Sequence, residues 1–148
     1  MGYTSYWKIQ KDLDKEKFAT LAEELEFVVS MLPTKSKSAQ NEHEGMIFIV
    51  GGDGEGEPVF TKDLICFNGR NENDESHETF AIRQKGNESF EFCKTNRKPY
   101  DLMVCISLLR LKHHFPESKI SSDGQAKDWA EAKKFYKKAF KEVAPKIK

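Results

Sequence analysis

The segment with the most evident chemistry covers residues 93–101, Cys-Lys-Thr-Asn-Arg-Lys-Pro-Tyr-Asp. A strand-like pattern precedes it and a helix-like pattern follows it, so the segment is predicted to join a strand to a helix. The N-terminus of a helix presents free backbone N–H groups and the positive end of the helix dipole, and Lys94, Arg97 and Lys98 add positive charge. The sequence therefore predicts a junction that could bind a carboxylate or phosphate group.

A structural interpretation of the same residues stays open. Thr95 and Asp101 belong to the residue types that cap helices, and Arg97 could pair with a nearby acid such as Glu78. The glycine-rich stretch at residues 51–56 does not strengthen the prediction of an anion site, because its acidic residues would repel phosphate. The sequence alone does not choose between a binding site and a structural network.

Cys93 is the candidate nucleophile of this segment, since a helix N-terminus and neighbouring lysines lower the pKa of a thiol. Covalent catalysis also needs a base, and the candidate bases are His77, His113 and His114. None of these histidines lies in a recognisable catalytic motif, and Cys93 could instead be packed in the core. A small enzyme that uses Cys93 or Asp101 is therefore an alternative and not the favoured prediction.

No metal site or cofactor is predicted. His113 and His114 are adjacent in sequence, so on a helix they point about 100° apart and do not readily share one ion. Asp53, Glu55 and Glu57 alternate like the start of a calcium loop, but the bidentate acid and the spacing of an EF-hand are missing.

The last predicted helix carries a row of lysines, Lys133, Lys134, Lys137, Lys138 and Lys141. Such a row could follow a phosphate backbone without sequence preference, and its affinity would then fall steeply with salt. The aromatic residues of this helix lie on the opposite, core-facing stripe and not between the lysines. A nucleic-acid-binding accessory protein is thus a second alternative, and a solvated helix face is the plainer interpretation.

The chain has 148 residues, with 24 Lys and Arg against 24 Asp and Glu and a formal net charge of +0. This length suits a single domain over residues 1–148. No apolar run approaches the roughly 20 residues that cross a bilayer, and the first residues do not resemble a signal peptide. We therefore expect an intracellular protein, cytoplasmic or nuclear, without a membrane partner. Its three cysteines, which lack C-x-x-C spacing, fit reduced thiols in such a compartment.

Alternation and β-branched or aromatic content predict six strands, at residues 3–9, 46–50, 58–69, 77–84, 89–95 and 119–122. Asn68-Gly69 is the strongest hairpin signal. Three helices are predicted. The first is capped by Asp14 and ends before Pro33, the second is apolar on nearly all sides, and the third is opened by a capping box of Ser122 and Gln125.

The predicted order is β-α-β-β-β-β-α-β-α. Short turns join neighbouring strands and the helices cannot serve as regular crossovers, so the fold class is α+β. We expect a mainly antiparallel sheet of five to six strands packed against two to three helices. The polar, unpatterned residues 34–45 are predicted to form a mobile loop.

Several motifs resemble a family of small uncharacterised proteins. They are GYTSYW at 2–7, FNG at 67–69, ETF at 78–80, FCKTNRKPYDLMVC at 92–105, KISSDG at 119–124 and DWAEAKKFY at 128–136. Members of that family begin with GYTHYW, carry FCKTARKPYD before a central helix, and occur in bacteria, fungi and large DNA viruses. The resemblance implies no activity, since the family has none assigned. Ser5 replaces the family's histidine and Asn96 replaces a small residue, and a viral origin would make the virion a further location.

The predicted function is that of a non-enzymatic binding or interaction module. Its partner would be a small anionic ligand or another protein, and its oligomeric state is left open. The predicted binding residues are Tyr3, Trp7, Glu78, Cys93, Lys94, Thr95, Arg97, Tyr100, Asp101, Ser121 and Asp123.

Overall fold

The computed structural model describes residues 3–33 and 46–147. The predicted mobile loop at residues 34–45 lies outside the described residues. Along the chain the elements are β1 (Thr4–Lys8), α1 (Lys15–Met31), β2 (Val59–Phe60), β3 (Leu64–Phe67), β4 (Phe80–Arg83), β5 (Phe90–Lys94), α2 (Asp101–His114), β6 (Lys119–Ser122) and α3 (Ala130–Phe140). Short 3-10 turns occupy Glu72–Asp74 and Ala126–Trp129. The α+β class and the predicted order are confirmed.

The six strands form two antiparallel sheets of three strands, in the orders β5-β1-β6 and β2-β3-β4. The sequence analysis expected these strands in one sheet, whereas the structure divides them between two. Residues 46–50 are not a strand, because only Val50 pairs, as an isolated bridge with Asn68. The predicted strand at 58–69 is instead two strands. The backbone turns at Thr61, whose N–H donates to the Leu64 carbonyl oxygen at 2.9 Å, so β2 folds back on β3.

β3 pairs with β4 in an antiparallel hairpin, in agreement with the hairpin signal at Asn68-Gly69, and these two residues lie at the start of a long connection. Residues 68–79 connect the strands, and the buried Asn68 side chain holds this connection closed. Its Nδ2 donates to the carbonyl oxygens of Gly52 and His77, and its Oδ1 accepts from the backbone N–H groups of Gly69 and His77. The asparagine therefore orders a long loop, a use that its dipeptide context does not reveal.

The first two helices differ in how they meet the core. α1 is amphipathic: Asp14 caps it by accepting from the Lys17 N–H at 3.0 Å, and its buried stripe is Phe18, Leu21, Ala22, Leu25 and Val28. α2 is buried continuously from Met103 to Leu111 and packs against α1, α3 and β6. α2 is the most buried of the three helices, which agrees with the prediction that it is apolar on nearly all sides, because such a helix has to be enclosed.

Aromatic rings join the two sheets within the core. Trp7 of β1 packs on Phe80 of β4 with ring centroids 5.1 Å apart, and Phe80 packs on Phe67 of β3 at 4.9 Å. All three side chains are buried. Because aromatic pairs add to the free energy gained by burying their surface, this contact fixes one sheet against the other.

A charged cluster ties the three helices together at the far end of α2. Arg110 is buried, and its Nε and Nη2 donate to the Glu24 carboxylate of α1 at 2.9 and 2.6 Å. Its Nη1 donates to the Tyr136 hydroxyl of α3 at 2.7 Å and to the Glu142 carboxylate at 2.6 Å. His114 Nε2 lies 2.6 Å from the same Glu24. These charge-assisted hydrogen bonds replace the water that the buried Arg110 guanidinium would otherwise bind.

Candidate binding cleft

A cleft of about 480 Å³ opens between the loop that precedes α2 and the start of α3. This volume lies within the range of small-molecule sites, which are roughly 300–1,000 Å³. Apolar side chains form part of the wall, and both signs of charge form the rest. The lining residues are Met46, Ile47, Arg97, Lys98, Pro99, Asp101, Leu102, Cys105, Lys127, Asp128, Glu131 and Ala132.

The loop before α2 is anchored to the first residue that the structure describes. The backbone N–H groups of Thr95 and Asn96 both donate to the Tyr3 carbonyl oxygen, at 3.0 and 3.1 Å. Asn96 and Arg97 have left-handed backbone conformations, with φ of 55° and 58°. Left-handed backbone is unfavourable for residues other than glycine, and asparagine tolerates it better than arginine does. The chain accepts this strain at the position that carries Arg97 into the cleft.

Arg97 has two partners beside the cleft. Its guanidinium stacks over the Tyr3 ring at 4.2 Å, and its Nη1 donates to the Asp128 carboxylate at 3.1 Å. The predicted partner Glu78 is wrong. The Glu78 carboxylate instead accepts from the Lys94 backbone N–H at 2.7 Å. Tertiary packing decides which acid pairs with Arg97. The 3-10 turn before α3 brings Asp128 next to Arg97, whereas the Glu78 carboxylate is already bonded to the backbone of β5.

Asp101 is the most enclosed carboxylate of the cleft. Its Oδ1 accepts from the Thr95 hydroxyl at 2.5 Å, and its Oδ2 accepts from the Cys105 thiol at 3.7 Å, one helical turn further along α2. Burial raises the pKa of Asp101, and the hydrogen bonds from Thr95 and Cys105 oppose that rise without cancelling it. Both oxygens of Asp101 are therefore already engaged by hydrogen bonds from within the fold.

Neither predicted cap of α2 is observed. The N-cap position is Tyr100, without a side-chain cap, while Thr95 and Asp101 bond to each other. The predicted free N–H groups are also partly used: the Asp101 N–H donates to the Lys98 carbonyl oxygen at 2.9 Å and the Leu102 N–H to that of Pro99 at 3.4 Å. The positive charge of the cleft therefore comes from side chains more than from the helix terminus.

The acidic and basic groups at the mouth of the cleft come from both sides. Lys98 Nζ donates to the Asp74 carbonyl and carboxylate oxygens at 2.8 and 3.1 Å. The hydrogen bond from the Gln125 backbone N–H, together with the one from Arg97, lowers the pKa of Asp128. Lys127 is exposed at the rim. The cleft thus presents three cationic side chains, of which Lys127 has no carboxylate partner among the described residues.

Cys93 lies in the core and not in the cleft. Its thiol donates to the Glu78 carbonyl oxygen at 3.4 Å, and the Tyr100 hydroxyl donates to the same oxygen at 2.6 Å. Burial raises the pKa of Cys93 to about 12, so the thiol stays protonated near neutral pH. His113 and His114 lie at the opposite end of α2 from the cleft. This arrangement does not favour Cys93 as a nucleophile.

The predicted binding residues divide into three groups. Arg97 and Asp101 line the cleft, and Thr95 and Tyr3 support them through the contacts described above. The Tyr3 hydroxyl donates to Ser122 Oγ at 3.0 Å, as does Trp129 Nε1 at 3.1 Å, so the end of β6 holds both the residue before β1 and the 3-10 turn before α3. The structure buries Trp7, Cys93 and Tyr100 in the core and places Glu78, Lys94, Ser121 and Asp123 outside this cleft.

The predicted binding residues that lie outside the cleft make contacts elsewhere in the fold. Asp123 accepts from the Thr4 N–H at 3.0 Å and from the Tyr6 hydroxyl at 2.8 Å, so it holds the end of β1. Ser121 lines a separate cavity of about 290 Å³ beside Trp129. Residues 93–101 and the turn at 121–124 therefore do not line one common cleft, and of the predicted binding residues only Arg97 and Asp101 line the cleft described here.

Half of the cleft was missed by sequence reasoning. Cys105 belongs to α2, Lys127 and Asp128 to the 3-10 turn before α3, and Glu131 to the first turn of α3. One local signal for this wall was present in the sequence. The capping box is formed by Gln125 and Asp128 and not by Ser122 and Gln125 as predicted, and the Gln125 N–H donates to Asp128 Oδ2 at 2.7 Å. A cap at Gln125 would have placed Asp128 at the start of the helix, where it meets Arg97.

The predicted lysine row lies on the outer side of α3. Lys134, Lys137, Lys138 and Lys141 are exposed and Lys133 is half-buried, whereas Trp129 and Tyr136 are buried. In residues 3–33 and 46–147, no group of three His, Cys, Asp or Glu side chains is placed to hold a metal ion. No helix within these ranges has the length and apolarity to cross a membrane.

Comparison of the chain with protein-family models, with curated protein sequences and with solved structures finds no match. The resemblance to the family with the GYTHYW and FCKTARKPYD motifs therefore stays a prediction. The cleft has to be interpreted from its own geometry.

Proposed function

We propose that this chain is a binding protein whose cleft takes a small ligand with an anionic group. The observation that carries the proposal is the convergence of Arg97, Lys98 and Lys127, from two separate parts of the chain, on one cleft of about 480 Å³. Ligand sites of this size combine apolar walls with a few polar groups that set orientation, and here Leu102 and Ala132 supply apolar wall.

The carboxylates of the cleft do not exclude an anion. Asp128 is already paired with Arg97, and Asp101 accepts hydrogen bonds from Thr95 and Cys105. The exposed Glu131 could accept a hydrogen bond from a ligand amine or hydroxyl. We therefore infer a polar ligand whose anionic end lies toward Lys127 and Arg97.

The strained loop supports a binding role. Two consecutive left-handed residues cost of the order of 1–3 kcal/mol each, and such strain is found preferentially where a side chain must be aimed. Here it aims Arg97, whose guanidinium is held by Tyr3 before any ligand arrives. A preordered guanidinium loses less conformational entropy on binding.

The test is a titration of the isotope-labelled protein with inorganic phosphate, followed through the backbone amide resonances. We expect shifts at Leu102 and Ala132, which line the cleft. The variant Lys127→Ala should weaken phosphate binding about fivefold, as expected for one exposed charge. Lys134→Ala, an exposed lysine of α3 that does not line the cleft, is the matched control and should leave the affinity unchanged.

Two outcomes would overturn the proposal. One is that phosphate, sulfate and small phosphorylated or carboxylated compounds shift none of the cleft resonances. The other is that Lys127→Ala and Lys134→Ala weaken binding equally, because the anion would then be attracted to surface charge in general and not to this cleft.

A further inference from the structure

The outer face of the β5-β1-β6 sheet carries three aromatic rings. Phe90 and Phe92 of β5 are 48% and 56% exposed. Tyr6 of β1 stacks on Phe90 with centroids 5.9 Å apart and planes within 21°, and Phe90 and Phe92 lie 6.4 Å apart. Large aromatic side chains are usually buried, so a contiguous exposed group of them indicates a surface with a partner.

These rings lie on the solvent side of the sheet because strand residues alternate between its faces. On the opposite face, Ser5, Trp7, Cys93 and Ile120 are buried. Phe90 and Phe92 are two residues apart in β5, so they share one face. No helix in residues 3–33 and 46–147 covers this face, while α2 packs against β6 and the core lies behind Trp7.

Lysines frame the aromatic rings on this same face. Lys8 lies opposite Phe90 on one side and opposite Lys119 on the other, and Lys94 follows Phe92 two residues along β5. Among the described residues, none of these lysines is within ion-pair distance of a carboxylate. The nearby Asp123 carboxylate is bonded to the Tyr6 hydroxyl and the Thr4 N–H. The face therefore combines flat apolar rings with unpaired positive charge.

We propose that this face, the aromatic platform of Tyr6, Phe90 and Phe92 with Lys8, Lys94 and Lys119, binds single-stranded nucleic acid. Unpaired bases stack on the exposed phenyl rings, and the lysines contact the phosphates that run beside them. Charge complementarity favours this partner, because the rings lie among lysines that have no carboxylate partner in the described part of the chain, and phosphates complement that charge. Stacking on phenyl rings is tolerant of base identity, so little sequence preference is expected.

This surface is distinct from the cleft. It contains none of the cleft residues, and it is also separate from the lysine row on α3. The inference therefore does not depend on the proposed small-ligand function, and variants can separate the three surfaces.

The experiment measures fluorescence anisotropy of labelled single-stranded oligonucleotides of about 12 nucleotides, in DNA and RNA form, at about 50 mM salt. We expect Phe92→Ala and Phe90→Ala each to weaken binding by about tenfold, the effect typical of one stacking contact. Lys94→Ala should weaken binding and reduce its salt dependence. Both phenylalanines are exposed, so their replacement leaves the core intact, which circular dichroism checks.

The matched control is Phe27→Ala, because Phe27 is equally exposed, at 56%, but lies on α1. It should leave oligonucleotide affinity unchanged, as should the cleft variant Lys127→Ala. A duplex of the same length should bind much more weakly, since its bases are already stacked on one another.

Other outcomes would overturn the inference. Binding that is lost in a Lys137→Ala, Lys138→Ala double variant but kept in Phe92→Ala would assign nucleic acid to α3. A wild-type dimer that Phe92→Ala converts to a monomer, with no oligonucleotide bound, would identify the platform as a contact between two copies. Absence of binding to any single strand, or equal affinity for duplex, would refute stacking on these rings.

Discussion

Replacing Glu24 by glutamine tests how much the buried cluster around Arg110 contributes to stability. Burial alone would raise the pKa of Glu24, but hydrogen bonds from His114 and Arg110 outweigh it and lower the pKa from 4.5 to about 2. Lowering the pKa of Glu24 from 4.5 to about 2 corresponds to roughly 3 kcal/mol, at about 1.4 kcal/mol for each pH unit. The Glu24 side chain keeps 24% of its surface exposed, so solvent screening reduces the expected contribution to about 2 kcal/mol.

The sign of the pH dependence follows from the lowered pKa. In the folded protein Glu24 holds its charge down to about pH 2, whereas the unfolded chain takes up the proton near pH 4.5. Its contribution is therefore complete above pH 4.5 and is lost as the pH falls toward 2. The Glu24→Gln variant lacks this contribution at every pH. The difference in unfolding free energy between wild type and variant should shrink from about 2 kcal/mol at pH 7 toward zero in acid.

The assay is urea denaturation of both proteins at a series of pH values between 7 and about 2.5, analysed with a common m-value. Glu23→Gln is the control, since Glu23 is the exposed neighbour on α1 and changes the net charge equally. A loss below about 0.5 kcal/mol at pH 7, or one that is independent of pH, would show that the Glu24–Arg110 pair is a surface contact of ordinary weakness.

Further predictions concern the residues that support the cleft and the core. Gly124→Ala would place a methyl group 2.7 Å from the Tyr3 hydroxyl oxygen, so it should destabilise the fold by about 1–3 kcal/mol in urea denaturation, and an unchanged midpoint would contradict the tight contact. Thr95→Val leaves the half-buried Asp101 carboxyl without its hydroxyl donor and should cost about 1–3 kcal/mol by the same assay, whereas Thr95→Ser should retain most of the stability. Cys93 in the native protein should react with iodoacetamide far more slowly than in the urea-unfolded chain, and equal rates would refute the buried, protonated thiol.

The elements that could be predicted are those whose signal is local. The stripe from Phe18 to Val28 and the cap at Asp14 lie within one helix, so their spacing alone identifies α1. The division into two sheets could not be read in this way. It depends on a turn at Thr61 and on the side chain of Asn68, which reaches Gly52 and His77.

Only the wall of the candidate cleft that residues 97–101 form could be predicted from the sequence. The charge and polarity of residues 94–101 indicated a site near Arg97, but the other wall comes from Lys127, Asp128 and Glu131, some thirty residues later. Which acid pairs with Arg97 is decided by tertiary packing. Likewise, alternation placed Phe90 and Phe92 on one face without showing whether that face meets the core or the solvent, because both faces of a strand have the same period.

The position of β1 has a consequence for how the protein folds. β1 is the central strand of its sheet, yet its partners β5 and β6 follow only after α1 and the whole of the β2-β3-β4 sheet. A chain leaving the ribosome therefore carries an unpaired strand that includes Trp7 until those later segments have been made. Because such contacts are distant in sequence, closing this sheet should be the slow step of folding, and the β2-β3-β4 sheet should form before it.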